Sequence, residues 1–216
     1  MARADRLTRG EQTRLQILEA ATEHFARHGF AGARVEAIAE SVGLRGPALL
    51  YHFRDKRQLY LAALDHTFGG LAAAFEQALA GPGDLTERIE AAVDAWVRFV
   101  GQRPAVARIL LREGAGLSPE LANEIGRIAA PFLDLLNRVY DEGRRTKLFR
   151  DDPIDPLHLA SAVAGTTVFF VAAIPSLLPQ SSFDPLAPAQ LEAHRRELLV
   201  IVRRLLGLRA PRPVKS

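Results

Sequence analysis

Residues 43–56 read GLRGPALLYHFRDK: a glycine, an arginine, a Gly-Pro pair, a short apolar run and a charged exit. Taken alone, the run is either a short core helix or a surface made to touch something anionic. Drawn as a helix over Gly46–Phe53, at about 100° per residue, it has two faces. Gly46, Leu49, Leu50 and Phe53 fall in one sector, expected to dock on neighbouring helices. Pro47, Ala48, Tyr51 and His52 fall opposite, with Arg45 at the helix entrance. Small residues let a helix approach the floor of a major groove. Arginine can fork onto guanine, and Tyr or His can bond phosphates or base edges. The same wheel also fits a three-helix core whose outer face carries these residues by chance.

The flanking sequence supplies the missing helices. Glu11–His28 sets Leu15, Leu18, Ala21 and Phe25 on one face and stops at Gly29. Val35–Val42 buries Val35, Ile38, Ala39 and Val42, and Gly43 ends it in the tight corner of a helix-turn-helix. Asp55 then caps a long fourth helix to about Ala80, with Lys56 in its first turn as a phosphate contact. Its Gly69-Gly70 pair predicts a bend, since each glycine costs a helix about 1 kcal/mol against alanine.

Beyond Gly81-Pro82-Gly83, Asp84 and Glu87 have capping-box spacing and open a fifth helix. Pro104 restarts a sixth. Ser118-Pro119 opens a seventh that should kink at Pro131, and Asp155-Pro156 opens an eighth that should end before Pro175. The ninth covers Pro188–Leu206 and stops at Gly207. No period-2 run survives, so the expectation is an all-α protein of about nine helices. Its expected parts are a flexible basic arm (1–10), an amino-terminal helical domain (11–71) with its helix-turn-helix motif at about 34–53, a larger helical domain (72–208), and a tail (209–216).

Composition narrows the class. A chain of 216 residues with 48% hydrophobic residues can bury a sizeable core. The absence of cysteine removes disulfides, thiolate metal sites and cysteine nucleophiles, and it suits a reducing compartment. The opening MARADRLTRGEQ has no apolar segment of the signal-peptide kind, so a cytoplasmic location is expected. Leu159–Leu178 is uncharged and close to bilayer-spanning length. Its Ser161, Gly165, Thr166, Thr167, Pro175 and Ser176, with no aromatic or basic flanks, favour a helix buried on nearly all sides over a membrane span. Net charge is only +3, yet Arg3, Arg6, Arg9 and Arg14 form one basic cluster and Arg45, Arg54, Lys56 and Arg57 another.

Three ordered runs carry a resemblance: Ile17-Leu18-x-Ala20-Ala21-x3-Phe25-x3-Gly29-Phe30, then Val35-x2-Ile38-Ala39-x2-Val42-Gly43-Leu44, then Leu49-x-Tyr51-His52-Phe53-x2-Lys56-x2-Leu59. Residues 11–60 resemble the DNA-binding domain of TetR-type transcriptional regulators. The resemblance implies a homodimer on double-stranded DNA, a repressor released from a palindromic operator by a small-molecule effector. The expected DNA-contacting set is Arg34, Arg45, Gly46, Pro47, Ala48, Tyr51, His52 and Lys56. This chain departs from the family where Ala33 and Arg34 replace the usual Thr or Ser before the second helix, and where Arg45 replaces a serine. Leu50 stands at the usual tyrosine position, with Tyr51 one step on.

The resemblance also implies an effector pocket within helices five to eight and a dimer made by helices eight and nine. By position, Trp96, Phe99, Phe132, Leu136, Tyr140, Phe169 and Phe170 are the pocket candidates, although aromatics at helical spacing equally suit core. For the dimer, Leu191, Leu198, Val202 and Leu205 form a stripe, and Ala160, Ser161, Ala164 and Gly165 permit close helix contact. Both helices fit monomer core as well.

Other classes fare worse. His24 and His28 have metal-pair spacing but no apparent third ligand, and Asp151-Asp152 reads as a solvated turn. Neither a phosphate-cradling glycine loop nor a nucleophile motif appears. No metal, cofactor or enzymatic activity is expected. The alternative is a helical ligand-binding or interaction protein whose helix-turn-helix does not bind DNA.

Overall fold

A computed structural model describes residues 8–113, 116, 119–150 and 153–208. Among these, the chain folds into ten α-helices and one π-helical segment, with no strand. The helices are α1 (Arg9–Gly32), α2 (Val35–Ser41), α3 (Gly46–His52), α4 (Lys56–Leu79), α5 (Leu85–Gln102), α6 (Pro104–Glu113), α7 (Pro119–Arg145), α8 (Pro156–Val168), α9 (Ile174–Leu177) and α10 (Pro188–Leu206). The π segment, Phe169–Ala173, joins α8 to α9. The basic arm up to residue 7, Ser118, Asp151-Asp152 and the tail from residue 209 lie outside the described residues.

The residues form two compact units, one containing the chain up to Gly70 together with Arg108–Ile128, the other Leu71–Ala107 and the chain from Ala129 onward. In the first, α1 starts at a capping box in which Thr8 and Glu11 each accept from the other's backbone N–H. The helix breaks at Gly29, whose φ of 70° is left-handed, and one more turn leads to Ala33. Arg34 stands at the α2 N-cap without a side-chain bond, so this helix start lacks the usual hydroxyl cap. Gly43, also at φ 70°, turns the chain into α3. Ile17, Phe25, Ile38, Leu49, Phe53, Leu59 and Tyr60 are buried together as the core of this unit. Phe25, Phe30 and Tyr60 form a ring cluster, with Tyr60 edge-on to Phe25 at 4.8 Å between centroids.

In the second unit, α5 starts at the Asp84–Glu87 capping box and packs along α10. Arg203 Nε donates to Glu90 at 2.6 Å and Arg195 Nη1 to Asp94 at 2.9 Å, so one face of α5 is tied to α10 at two levels. Beyond the Asp94–Arg195 tie the helices come close. A Cβ on Gly101 would stand 2.9 Å from Leu191 Cδ1.

The Gly69-Gly70 pair lies inside α4, which is helical from Lys56 to Leu79, and Pro131 lies inside α7. Two expectations are corrected. The eighth helix does not end before Pro175. It widens into the π segment and resumes as α9, with Pro175 just after that segment. Finally, Pro156–Leu177 is long and apolar enough to cross a membrane, but only 17% of its most apolar window is buried within the chain. It is not a helix enclosed on nearly all sides.

Candidate DNA-binding face and effector region

Helix α3 presents the face that the sequence suggests, with one exchange. Leu49 and Phe53 are fully buried and dock the helix on its own unit. Leu50, expected in the same sector, is 44% exposed. Tyr51 is 89% exposed and Pro47 and Ala48 are open to solvent. Gly46 and His52 are half-buried, and the His52 ring stands edge-on to Tyr51 at 5.7 Å. Arg45 is the α3 N-cap. Its carbonyl accepts from Ala48 and Leu49, and its exposed side chain makes no cap bond. A guanidinium at that entrance is free to fork onto an acceptor pair.

Lys56 is more occupied than expected. Its Nζ donates to the Ala31 carbonyl at 3.0 Å and lies 5.1 Å from the centre of the Phe30 ring. An ammonium has three protons, so a phosphate contact remains possible for the other two. Asp55 caps α4 as expected, accepting from Gln58 N at 2.7 Å, and that bond is the main cause holding its carboxyl below the usual range. Sequence reasoning missed Arg14 as more than a surface charge. Its Nη1 donates to the His52 carbonyl at 3.1 Å, and its guanidinium carbon lies 4.2 Å from the Phe53 centroid.

In the other unit the seven pocket candidates are not gathered by ring contacts with one another. Phe132 meets Phe75 edge-on at 5.1 Å, Tyr140 meets Phe149, and Phe170 lies between Phe183 and His194. The Tyr140 hydroxyl donates to the Pro153 carbonyl, and Arg103 covers the Phe99 ring at 4.9 Å. Leu136 is half-buried. Phe169 is 49% exposed. Trp96 is the exception among the seven. It is 4% exposed, and its buried indole Nε1 has no hydrogen-bond partner. Such a donor is costly to leave unpaired.

In the expected dimer stripe, Leu198 and Val202 are buried within the single chain, and Leu191, beside Gly101, is half-buried. Ala160, Ala164 and Leu205 are half-buried.

Two family models match the chain. That of the bacterial regulatory proteins of the tetR family covers residues 17–63, and that of the tetracyclin repressor-like C-terminal domain covers residues 86–202. The chain belongs to the TetR family. As a TetR-family member it is a DNA-binding transcriptional regulator, and the curated relatives it matches are transcriptional regulators. The HTH-type transcriptional activator FasR of Mycolicibacterium smegmatis is 33% identical over 123 residues, 57% of this chain and 56% of that protein, so the match spans little more than half of FasR. The HTH-type transcriptional repressor NicS of Pseudomonas putida is 28% identical over 156 residues, 68% of this chain and 70% of NicS. Among solved structures, the regulator FadR from Bacillus subtilis in complex with stearoyl-CoA shares the fold, with a TM-score of 0.68 at 20% identity over 87% of this chain and 98% of FadR.

Proposed function

We propose that this TetR-family protein acts in the cytoplasm as a homodimer that sets one α3 helix into each half of a near-palindromic operator and leaves it when a small molecule binds. The outward face of α3 carries this reading: small Pro47 and Ala48, exposed Tyr51, and the uncapped Arg45 at the entrance. Arg45 and Tyr51 would read base edges or phosphates, His52 and Arg34 would flank them, and Lys56 would add a phosphate contact. One short helix reads only a few base pairs, so useful affinity requires two copies. The test is anisotropy titration of a duplex from the region upstream of its own gene against a scrambled duplex. Both should lose affinity as salt rises from about 50 to 200 mM, with the specific duplex bound about a thousandfold tighter. Equal affinity for the two would remove the DNA-reading role.

The second copy would cover the apolar run of α8 and α9, where Leu157, Phe169, Leu177 and Leu178 are exposed, with Ala160 and Ala164 allowing close approach. The effector would be a molecule with an apolar body and a hydrogen-bond acceptor for the Trp96 N–H. An acyl thioester, the class bound by FadR, has both. Trp96 is the one tryptophan of the chain, so its emission reports occupancy directly. Stearoyl-CoA should change that emission and coenzyme A alone should not. No change with stearoyl-CoA would exclude the class. Repression by operator occupancy is the proposed output, although FasR and NicS carry opposite signs. Expression of the neighbouring genes should rise when the regulator is deleted.

A further inference from the structure

We propose that Arg14 is a positioning residue for operator reading: from α1 it holds the carboxy-terminal end of α3 and thereby sets the angle at which α3 meets the groove. The inference rests on the reading that α3 enters the groove. Helix α3 has only seven residues, so most of its carbonyls have no donor within the helix, and outside contacts decide how it lies. It packs chiefly on α2, and α2 on α1. Arg14 adds a direct tie from α1 to α3. One N–H meets the carbonyl of His52, the last α3 residue, at 3.1 Å, and the guanidinium lies 4.2 Å from the ring of Phe53, the C-cap. A cation there also complements the negative end of the helix. Phe53 is fully buried, so the surface under the guanidinium is itself fixed.

The same arrangement recurs one step along the chain. Lys56 donates to the Ala31 carbonyl near the end of α1 and lies over Phe30. Each cation therefore meets a carbonyl at the carboxy-terminal end of another helix, the Lys56 contact joining α4 to α1 and the Arg14 contact joining α1 to α3. Tyr51 and Pro47, on the outer face of α3, depend on the Arg14 tie for their aim.

The experiment uses the full-length protein, an operator duplex selected from a random library, and a scrambled duplex of the same composition. Wild type, Arg14→Ala, Arg14→Gln and Arg14→Lys are titrated on both duplexes across a salt series, with the folded fraction of each followed by circular dichroism. Arg14→Ala should lose about tenfold on the operator while its affinity for the scrambled duplex and its salt slope stay at wild-type values. Arg14→Lys should recover part of the loss, since an ammonium can bond the carbonyl but cannot lie flat on Phe53. Arg14→Gln, which keeps an N–H donor, gives the same comparison if the alanine variant does not fold.

An equal loss on both duplexes, with the slope shallower by about one unit, would make Arg14 a phosphate contact and overturn the proposal. Unchanged operator affinity, or a loss matching the unfolded fraction, would overturn it too. If wild type does not prefer the operator, the DNA-binding reading fails with it. If wild type does prefer it and Arg14→Ala behaves identically, only the positioning role fails.

Discussion

The imidazole of His194 lies parallel to the ring of Phe170, 4.4 Å between centroids and 10° from coplanar, and its Nε2 is 3.0 Å from Thr167 Oγ1. With the Thr167 hydroxyl donating to the Val163 carbonyl, its oxygen is left to accept from a His194 Nε2–H. This buried pair ties α10 to α8 and to the π segment. Burial holds the imidazole below the ordinary histidine range near 6.5. A base with a depressed folded pKa is neutral in both states above that range and contributes its full stability there. As pH falls below about 6.5, the unfolded chain takes up the proton first, and stability falls toward the folded pKa. The urea midpoint of the wild type should therefore drop between pH 7 and pH 5. His194→Gln should flatten that drop, leaving the part due to His24, which burial first and then the nearby His28 and Arg27 also hold low. Parallel pH profiles for the two proteins would show that His194 does not carry the dependence.

Arg45 and Lys56 should separate by readout. Arg45→Ala should relax preference at one base pair by about 1–3 kcal/mol if the guanidinium forks onto guanine. Lys56→Ala should weaken all sequences alike, with a shallower salt slope. It should also lower the melting temperature, because the Ala31 carbonyl loses its donor. Uniform loss with both variants would reassign Arg45 to the phosphate backbone.

For the dimer, surface and core substitutions should diverge. Phe169→Glu with Leu177→Glu places charge on side chains that are 49% and 62% exposed in the single chain. Sedimentation should then show folded monomers with weak operator binding. Leu198→Glu buries a charge in the core of the second unit and should unfold it instead. A dimer of undiminished stability in the first variant would move the interface elsewhere.

Replacing Gly69 and Gly70 by alanine should strengthen α4 by about 1 kcal/mol per site. Gly69 is exposed and a Cβ there would meet nothing within 4 Å, so no clash offsets the gain. If this weak step transmits the effector signal, the ratio of operator affinities without and with stearoyl-CoA should shrink in the double variant. An unchanged ratio would place the signal outside α4.

Legibility followed the length scale of the interactions. The helix-turn-helix, the Asp84–Glu87 capping box and the Gly207 stop could be read because each depends on residues within a few positions. The Arg14 tie was not legible, since its partner stands 38 residues away and a surface arginine carries no sign of its acceptor. The stripe of Leu198 and Val202 was ambiguous for a related reason. A helical stripe shows that one face is apolar but not whether a second copy or the chain's own α5 and α8 cover it. Phe170 was picked out as an aromatic, yet its partners His194 and Phe183 come from a different helix and a loop.

The path of the chain through the two units has a practical meaning for dissection. The chain passes out of the first unit along α4, re-enters it within α6 and leaves again within α7, each time in mid-helix. A fragment ending at Gly70 would thus be more than a shortened protein. It would lose Arg108–Ile128, including Glu124, the ion-pair partner of Arg57 one residue beyond Lys56. Protease should find no extended connection between the units on any of these three crossings, and the amino-terminal unit is not expected to be released as a stable product.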